Sequence, residues 1–227
     1  AYRRRPGARV QSLEDSSFDA WIKFNKQDAD SVNSTVSFYD LGSHANMLID
    51  FELRRVSRDR VNLDTVMADL YRRFPLAGPG FTTDDFINAC QRLAVDSGAA
   101  ADMRSFILRA VRTTDTLDFD SALARAGLEV VNDAKKEEGS ELPKQKAFIG
   151  VNVEAKDGVA AVTAVLADGP AYGAGLMAGD QIVAINGYRV RSQAEVDSVL
   201  KHLKPGDVVK LSLFRHEVLR QIVFKPD

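Results

Sequence analysis

The chain has 227 residues, of which 45% are hydrophobic and 27% charged, and its formal net charge is −2. This length allows one large or two small domains, and the composition is ordinary for a soluble globular protein. The near balance of charge gives no electrostatic reason to expect a nucleic acid or an acidic membrane as partner. No apolar run approaches the ~18 residues of a membrane span. The single cysteine excludes an intrachain disulfide.

From Ser12 to Leu128 the apolar residues recur at helical spacing. A first amphipathic segment is predicted from Leu13, Phe18, Trp21 and Ile22. A long helix is predicted over residues 35–54, with Tyr39 near its start and Gly42 inside. A glycine inside a helix costs about 1 kcal/mol relative to alanine, so we expect Gly42 to permit close packing.

Further helices follow in this half of the chain. Residues 62–74 place apolar side chains at three- and four-residue steps, and Thr82 begins a capped helix that carries Cys90. Cys90 is expected to pack as a small apolar residue. The remaining helical stripes are Met103–Val111 and Phe119–Ala126, the latter ended by Gly127. Residues 132–143 are polar and aperiodic, which is typical of a linker.

The C-terminal part changes to a strand pattern. Asp157-Gly158 and Asn186-Gly187 have the residue types of tight hairpin turns. Ser192 and Glu195 form a capping box for a helix that places Val196, Leu200 and Leu203 on one side. The predicted strands are Ala147–Val153 (alternating around Gly150), Val159–Val165, Ile182–Ile185, Val208–Phe214 and Val218–Phe224.

The block Gly169–Gly187 resembles the core of a bacterial PDZ domain, and the resemblance covers most of Lys146–Pro226. It implies that a peptide or protein C-terminus is bound as an added strand. The loop that would hold the terminal carboxylate is formed by Phe148, Ile149, Gly150 and Val151. Gly150 would let the peptide backbone approach.

The opposite wall of the groove, by the same resemblance, is the helix capped by Ser192. Val196 and Leu200 would hold an apolar terminal side chain. Gln193 would bond a polar residue two positions upstream. A groove filled by the protein's own segment or by a partner domain is the alternative.

Four passages of the helical half resemble the glycyl-aminopeptidase family of zinc metallopeptidases, which are gluzincins: residues 12–23, 34–42, 63–74 and 80–86. That family ends in a PDZ domain after such a helical region. The resemblance implies a preference for substrates with an N-terminal glycine or alanine. It also implies a zinc ion in an upstream half, and a helical region that completes the catalytic domain.

Tyr39 is the catalytic residue that this resemblance implies. It begins Tyr39-Asp-Leu-Gly42, which matches a gluzincin stretch whose tyrosine reaches the active site. Its implied role is to donate a hydrogen bond to the oxyanion formed when zinc-bound water attacks the peptide. Asp40 and Leu41 differ from the usual glutamate and lysine. The alternative is a buried tyrosine whose hydroxyl is satisfied locally.

The zinc ligands of that class are absent from this sequence. A His-Glu-x-x-His motif is required, and the chain has only His44, His202 and His216. His216-Glu-Val-Leu-Arg220 has arginine at the second ligand position and falls in a predicted hairpin. We therefore expect no metal site and no cofactor in this chain, and no activity from the chain alone.

The sequence thus predicts an α + β protein of two domains. An all-α helical subdomain spans residues 1–131, a linker 132–145 and a PDZ domain 146–227, the last a small antiparallel β-barrel or sandwich with two helices. The function predicted is the C-terminal part of a zinc aminopeptidase. The alternatives are a non-enzymatic PDZ adaptor and a PDZ domain that acts only as a structural lid or oligomer contact. A bacterial envelope, periplasmic or secreted location is favoured over the cytoplasm.

Overall fold

The computed structural model describes residues 5–129 and 147–227, and these form two compact units. The helical unit contains described residues 8–25 and 35–129, and the sheet unit contains 5–7, 26–34 and 147–227. Residues 5–7 and 26–34, which the sequence analysis assigned to the helical domain, belong by their contacts to the sheet unit. The predicted linker over 132–145 lies outside the described residues.

The helices of the helical unit begin at side-chain caps that accept main-chain N–H groups left without partners in a first turn. Asn62 and Thr82 each form a reciprocal capping box with the residue three positions on. Among the described helices none is long and apolar enough to cross a membrane. The helices are α1 Leu13–Phe18, α3 Phe38–Ser57, α4 Leu63–Arg73, α5 Thr83–Asp96, α6 Met103–Arg112 and α7 Phe119–Arg125, with a π-helical turn at Ala20–Phe24.

The core of the helical unit consists of the predicted apolar stripes. One cluster joins α3, α4, α5 and α6 and includes the fully buried Leu53, Val66 and Ile87. A second cluster, which includes Leu48 and Phe119, joins α3 to α6 and α7. The periodicity therefore identified most of the buried face of these helices, although Met67 and Tyr71, which belong to the predicted apolar stripe of α4, are exposed.

Two expectations for the helical unit are wrong. Phe18 and Trp21, predicted on the buried face of the first segment, are 88% and 85% exposed, and Ile22 is also exposed. Gly42 is not required for packing, because a Cβ there would lie 3.7 Å from Leu13 Cδ1, an ordinary contact distance.

The sheet unit is an antiparallel sheet with three short helices. Its strands lie in the order β1-β2-β3-β5-β6, and β4 pairs with β3. One core cluster fills it and includes the fully buried Ile182, Val196 and Leu211. The elements are α2 Ser31–Ser34, β1 Val151–Lys156, β2 Val159–Val165, α8 Pro170–Gly173, β3 Gln181–Ile185, β4 Tyr188–Arg189, α9 Gln193–Leu200, β5 Val209–Arg215 and β6 Val218–Phe224.

The hairpins follow the prediction closely. Both residues of Asp157-Gly158 and of Asn186-Gly187 have positive φ, as a type I′ turn requires. The predicted first strand is wrong over residues 147–150, because Gly150 has φ 75° and breaks the extended conformation. Phe148 instead exchanges two main-chain hydrogen bonds with Asp227, of 3.0 and 3.2 Å, and this pair closes one corner of the sheet.

Helix α2 brings a distant piece of the chain into the sheet unit through Asn33. The side chain of Asn33 is buried and is hydrogen-bonded like a peptide group. Its Nδ2 donates to the Val165 carbonyl at 2.8 Å, and its Oδ1 accepts the Ala167 N–H at 2.8 Å. These bonds hold the end of β2 and the loop after it. No local sequence pattern predicts these bonds, because their partners are more than 130 residues apart in the chain.

We predict that Asn33→Ala destabilises the sheet unit by about 1.5–4.5 kcal/mol, because three hydrogen bonds of about 0.5–1.5 kcal/mol each are lost, the third being the bond from Asn33 Nδ2 to Asp30 Oδ1 at 3.0 Å. Urea unfolding followed by the amide signals of β2 and β3 would measure it. Asn33→Asp keeps the acceptor but loses the donor, so we expect an effect at least as large. Lys26→Ala, at an exposed position of the same segment, is the control. An unchanged midpoint for Asn33→Ala would contradict this role.

Candidate functional site

The candidate peptide site lies at the free edge of β1. Within the described residues β1 pairs with β2 on one side only, and α9 packs beside it. Helix α9 is capped by Ser192, whose Oγ accepts the Glu195 N–H at 3.3 Å. The predicted capping box is only half formed, because the Glu195 carboxylate accepts from the Arg191 N–H instead of the Ser192 N–H. An edge strand next to a helix is the arrangement into which a peptide can add as a further strand.

The loop before β1 is fixed by contact between two glycines. A Cβ on Gly150 would lie only 2.8 Å from Gly169 Cα. The Leu166 N–H donates to Gly150 O at 2.8 Å, and the Ala171 N–H donates to Ile149 O at 3.1 Å. The resemblance to PDZ domains predicts that Gly150 allows the peptide backbone to approach. In the structure Gly150 is required instead by its positive φ and by its own chain at Gly169.

The main-chain amides of this loop differ in availability. The Phe148 N–H is already bonded to the main-chain oxygen of Asp227, so it does not bind a carboxylate in this arrangement. In the described part of the chain the amides of Ile149 and Gly150 donate no hydrogen bond. The predicted four-residue loop is thereby reduced to Ile149, Gly150 and Val151 as candidate donors.

Of the three residues predicted to form the helical wall of the groove, Gln193 is the one that is hydrogen-bonded to the edge of β1. Gln193 Oε1 accepts the Val153 N–H at 2.9 Å, and Gln193 Nε2 donates to Asp197 Oδ1 at 2.8 Å. Val196 is 0% exposed and Leu200 is buried, both in the core cluster. Val196 and Leu200 therefore present no open pocket here, and their role in binding a side chain stays a prediction.

An ion pair with a buried carboxylate supports the loop that follows α8, and no sequence pattern predicts this pair. Asp180 is 1% exposed and accepts from Arg215 Nε and Nη2, both at 2.7 Å. This hydrogen-bonded carboxylate raises the pKa of Arg215. The Met177 N–H also donates to Asp180, and Arg215 bonds the Gly175 carbonyl. The pair fixes the turn between α8 and β3 and stands apart from the β1 edge.

Tyr39 is the second residue of α3, which is capped by Ser37. Its side chain is 66% exposed, so the alternative of a buried tyrosine is wrong. Its ring lies against Phe38 and Phe24, with centroid distances of 4.2 and 5.7 Å. Among the described residues no hydrogen-bond partner reaches the Tyr39 hydroxyl. The ring is thus supported while the hydroxyl faces outward.

The cysteine and two of the histidines considered in the sequence analysis lie in or against the core or in a turn. Cys90 is completely buried, and burial raises the pKa of its thiol to about 12, so it is protonated at neutral pH. His216 lies in the turn between β5 and β6 with φ 48°, so the predicted hairpin is confirmed at this position. His44 packs edge-to-face on Phe119 at 5.2 Å. Within residues 5–129 and 147–227 no three potential ligands are grouped to hold a metal.

We predict that Gly150→Ala destabilises the sheet unit by about 2–5 kcal/mol. The left-handed backbone contributes about 1–2 kcal/mol and overpacking against Gly169 about 1–3 kcal/mol. Gly158→Ala is the matched control, because Gly158 has φ 76° but open space around it, so only the backbone cost applies. Chemical denaturation of both variants would compare them. Equal losses of stability would show that the contact with Gly169 is unimportant.

Two known families match the parts of the chain that carry these candidate residues. The family model of the PDZ domain matches residues 147–225. The family model of the M61 glycyl aminopeptidases matches residues 1–44, which include Tyr39. The two resemblances predicted from the sequence are therefore confirmed, and so is the α + β fold class.

Similar proteins extend this result. A solved aminopeptidase N family protein from Idiomarina loihiensis is 28% identical, with a TM-score of 0.82 over 100% of this chain and 38% of its own. A curated protein from Chlamydia muridarum, described as a probable periplasmic serine endoprotease DegP-like, is 42% identical over 66 residues. The chain spans 38% of the first and 13% of the second. It is a peptidase-related protein with a PDZ domain.

Proposed function

We propose that this chain is the C-terminal part of a zinc metallo-aminopeptidase of the gluzincin class, acting on peptides with an N-terminal glycine or alanine. The observation that carries the proposal is the position of Tyr39. It lies within the segment that matches the M61 family, and its hydroxyl is exposed at the first turn of α3. The likeness to the Idiomarina protein over the full length of this chain supports it.

Tyr39 would act as an oxyanion stabiliser. A phenol held in place by neighbouring rings can donate to the negative charge that develops on the scissile carbonyl oxygen. Phe24 and Phe38 supply that support, since their rings lie 5.2 Å apart and both contact Tyr39. A hydroxyl without a partner in the described residues is available for this bond.

The exposed apolar side chains near Tyr39 support a role in completing an active-site cleft. Trp21 and Ile22 lie on the same π-helical turn as Phe24, whose ring contacts Tyr39. Exposed aromatic and aliphatic groups of this size are a common sign of a surface that another domain covers. We propose that the upstream catalytic domain of the same polypeptide is that partner.

Zinc would be held by that upstream domain. The described residues do not fit a zinc site, because no group of three potential ligands is brought together. Zinc would supply the Lewis acid and activate the attacking water. The contribution of this chain would be the Tyr39 hydroxyl and the surface around it.

We predict that Tyr39→Phe, in a polypeptide joining this chain to the zinc-bearing half, lowers kcat about 10²–10³-fold with little change in KM. One oxyanion donor contributes about this much, mainly in the transition state. Hydrolysis of glycyl and alanyl anilides would measure it, with the present chain alone as the inactive, zinc-free reference. Tyr71→Phe, at another exposed tyrosine of the helical unit, is the matched control. Normal turnover in Tyr39→Phe would leave Tyr39 a structural residue.

The PDZ domain would bind the C-terminus of a peptide along β1. The Ile149 and Gly150 amides are placed before the free edge and would receive the carboxylate. The match of residues 147–225 to the PDZ family also favours the second candidate function, a non-enzymatic adaptor. An envelope or periplasmic location is part of the proposal, supported by the description of the Chlamydia relative.

We predict that the full chain binds peptides with a free C-terminus at least about tenfold more tightly than their amidated forms. Charge-assisted hydrogen bonds to the carboxylate, of about 1.5–3 kcal/mol, are lost on amidation. Titration with a heptapeptide library, in free and amidated versions, would test this. Binding that ignores amidation would contradict the carboxylate loop. No binding of any member would favour the structural role of the domain.

A further inference from the structure

We propose that Gln193 closes the peptide groove in the free protein by occupying the position of a peptide carbonyl, so that a bound peptide must displace it. We call this side chain, with its bonds to Val153 and Asp197, the Gln193 latch. The inference rests on the proposed peptide groove at β1. It gives Gln193, already predicted to bond a polar side chain of the peptide, a second role as a cover of the strand edge that lowers the affinity of the free protein for peptides.

The first step is the chemistry of the strand edge. A peptide that extends a sheet must offer carbonyl oxygens to the outward N–H groups of the edge strand. The Val153 N–H is such a group, since it donates to Gln193 of the adjacent helix α9. An amide oxygen at 2.9 Å from Val153 N is chemically equivalent to a peptide carbonyl. The latch and a bound peptide therefore exclude each other at this position.

The second step is that the latch is held from both ends. Asp197, one turn further along α9, accepts from Gln193 Nε2 at 2.8 Å. With both ends of its amide bonded, the Gln193 side chain has one preferred position. Val196 is fully buried and Val153 nearly so. In this arrangement neither side chain lines an open pocket beside Gln193.

The third step concerns the free energy lost when a peptide displaces the Gln193 side chain and the free energy that new bonds to the peptide supply. Breaking the bond to Val153 is compensated when a peptide carbonyl replaces it, so the net penalty is that of populating the open state. The released Gln193 amide can then bond a hydroxyl or amide side chain of the peptide near the same position. Peptides with such a side chain recover the penalty, and peptides with alanine there do not. The latch thus favours polar residues by discriminating against apolar ones.

The latch is tested without any ligand by hydrogen exchange of the Val153 amide in the full chain. Replacing Gln193 with alanine exposes this N–H to water. We expect its exchange to become about 2- to 10-fold faster, which corresponds to one hydrogen bond of about 0.5–1.5 kcal/mol. The Val162 amide, which donates to Asp180 O at 2.8 Å, is the internal reference. Unchanged exchange at Val153 would overturn the latch whether or not a peptide binds.

The consequence for binding is tested with two acetylated hexapeptides that end in Ala-Ala-Val or Thr-Ala-Val with a free carboxylate. We expect Gln193→Ala to tighten the alanine peptide about 2- to 10-fold and to remove the preference for the threonine peptide. Asp197→Ala should tighten the alanine peptide less, because only the anchor is lost. Ser198→Ala, at an exposed position of α9, should change neither.

The outcomes separate the latch from the proposed peptide site. Weaker binding of the alanine peptide by Gln193→Ala would overturn the latch while the peptide site stands. Faster Val153 exchange without binding of either peptide would keep Gln193 as the cover of the strand edge and would count against its role in selecting ligands.

Discussion

The contact between Gly150 and Gly169 is the constraint on which the β1 edge depends. At this separation neither residue can carry a side chain, and the positive φ of Gly150 turns the chain abruptly into Val151. The direction of β1 and the absence of hydrogen bonds from the Ile149 and Gly150 amides, within the described residues, both follow from that turn. A strand that continued straight through residue 150 would leave no loop to receive a carboxylate.

An open strand edge is also a hazard, because its unpaired main-chain groups can pair with other chains. Two hydrogen-bonded contacts cover part of this edge. The N–H and carbonyl of Phe148, just before β1, pair with the main chain of Asp227, and the Val153 N–H donates to Gln193. Of these two contacts, the one made by Gln193 can be replaced by a ligand that offers an amide oxygen to Val153. Protection of the edge is thus compatible with the peptide binding that we propose.

Much of this architecture could be predicted from local patterns. Turn residues and alternation predicted β2 and β6 with their bounds, capping residues predicted the starts of α5 and α9, and apolar periodicity predicted α4, since these depend on neighbours in sequence. The failures involve distant partners. Asn33 bonds β2 from another part of the chain, Gly169 determines the need for Gly150, and Trp21 is exposed although its spacing suggested a buried face. Burial of Val196 likewise depends on how α9 packs.

The central claim is that the helical unit with Tyr39 completes a zinc aminopeptidase whose remaining part lies upstream. Native mass spectrometry of the protein purified from its own cells, with tryptic sequencing and metal analysis, tests this most directly. The account predicts a polypeptide substantially heavier than 24.9 kDa that carries one zinc ion and a His-Glu-x-x-His peptide. A zinc-free protein of 24.9 kDa without that peptide would contradict it and would leave the PDZ adaptor as the function.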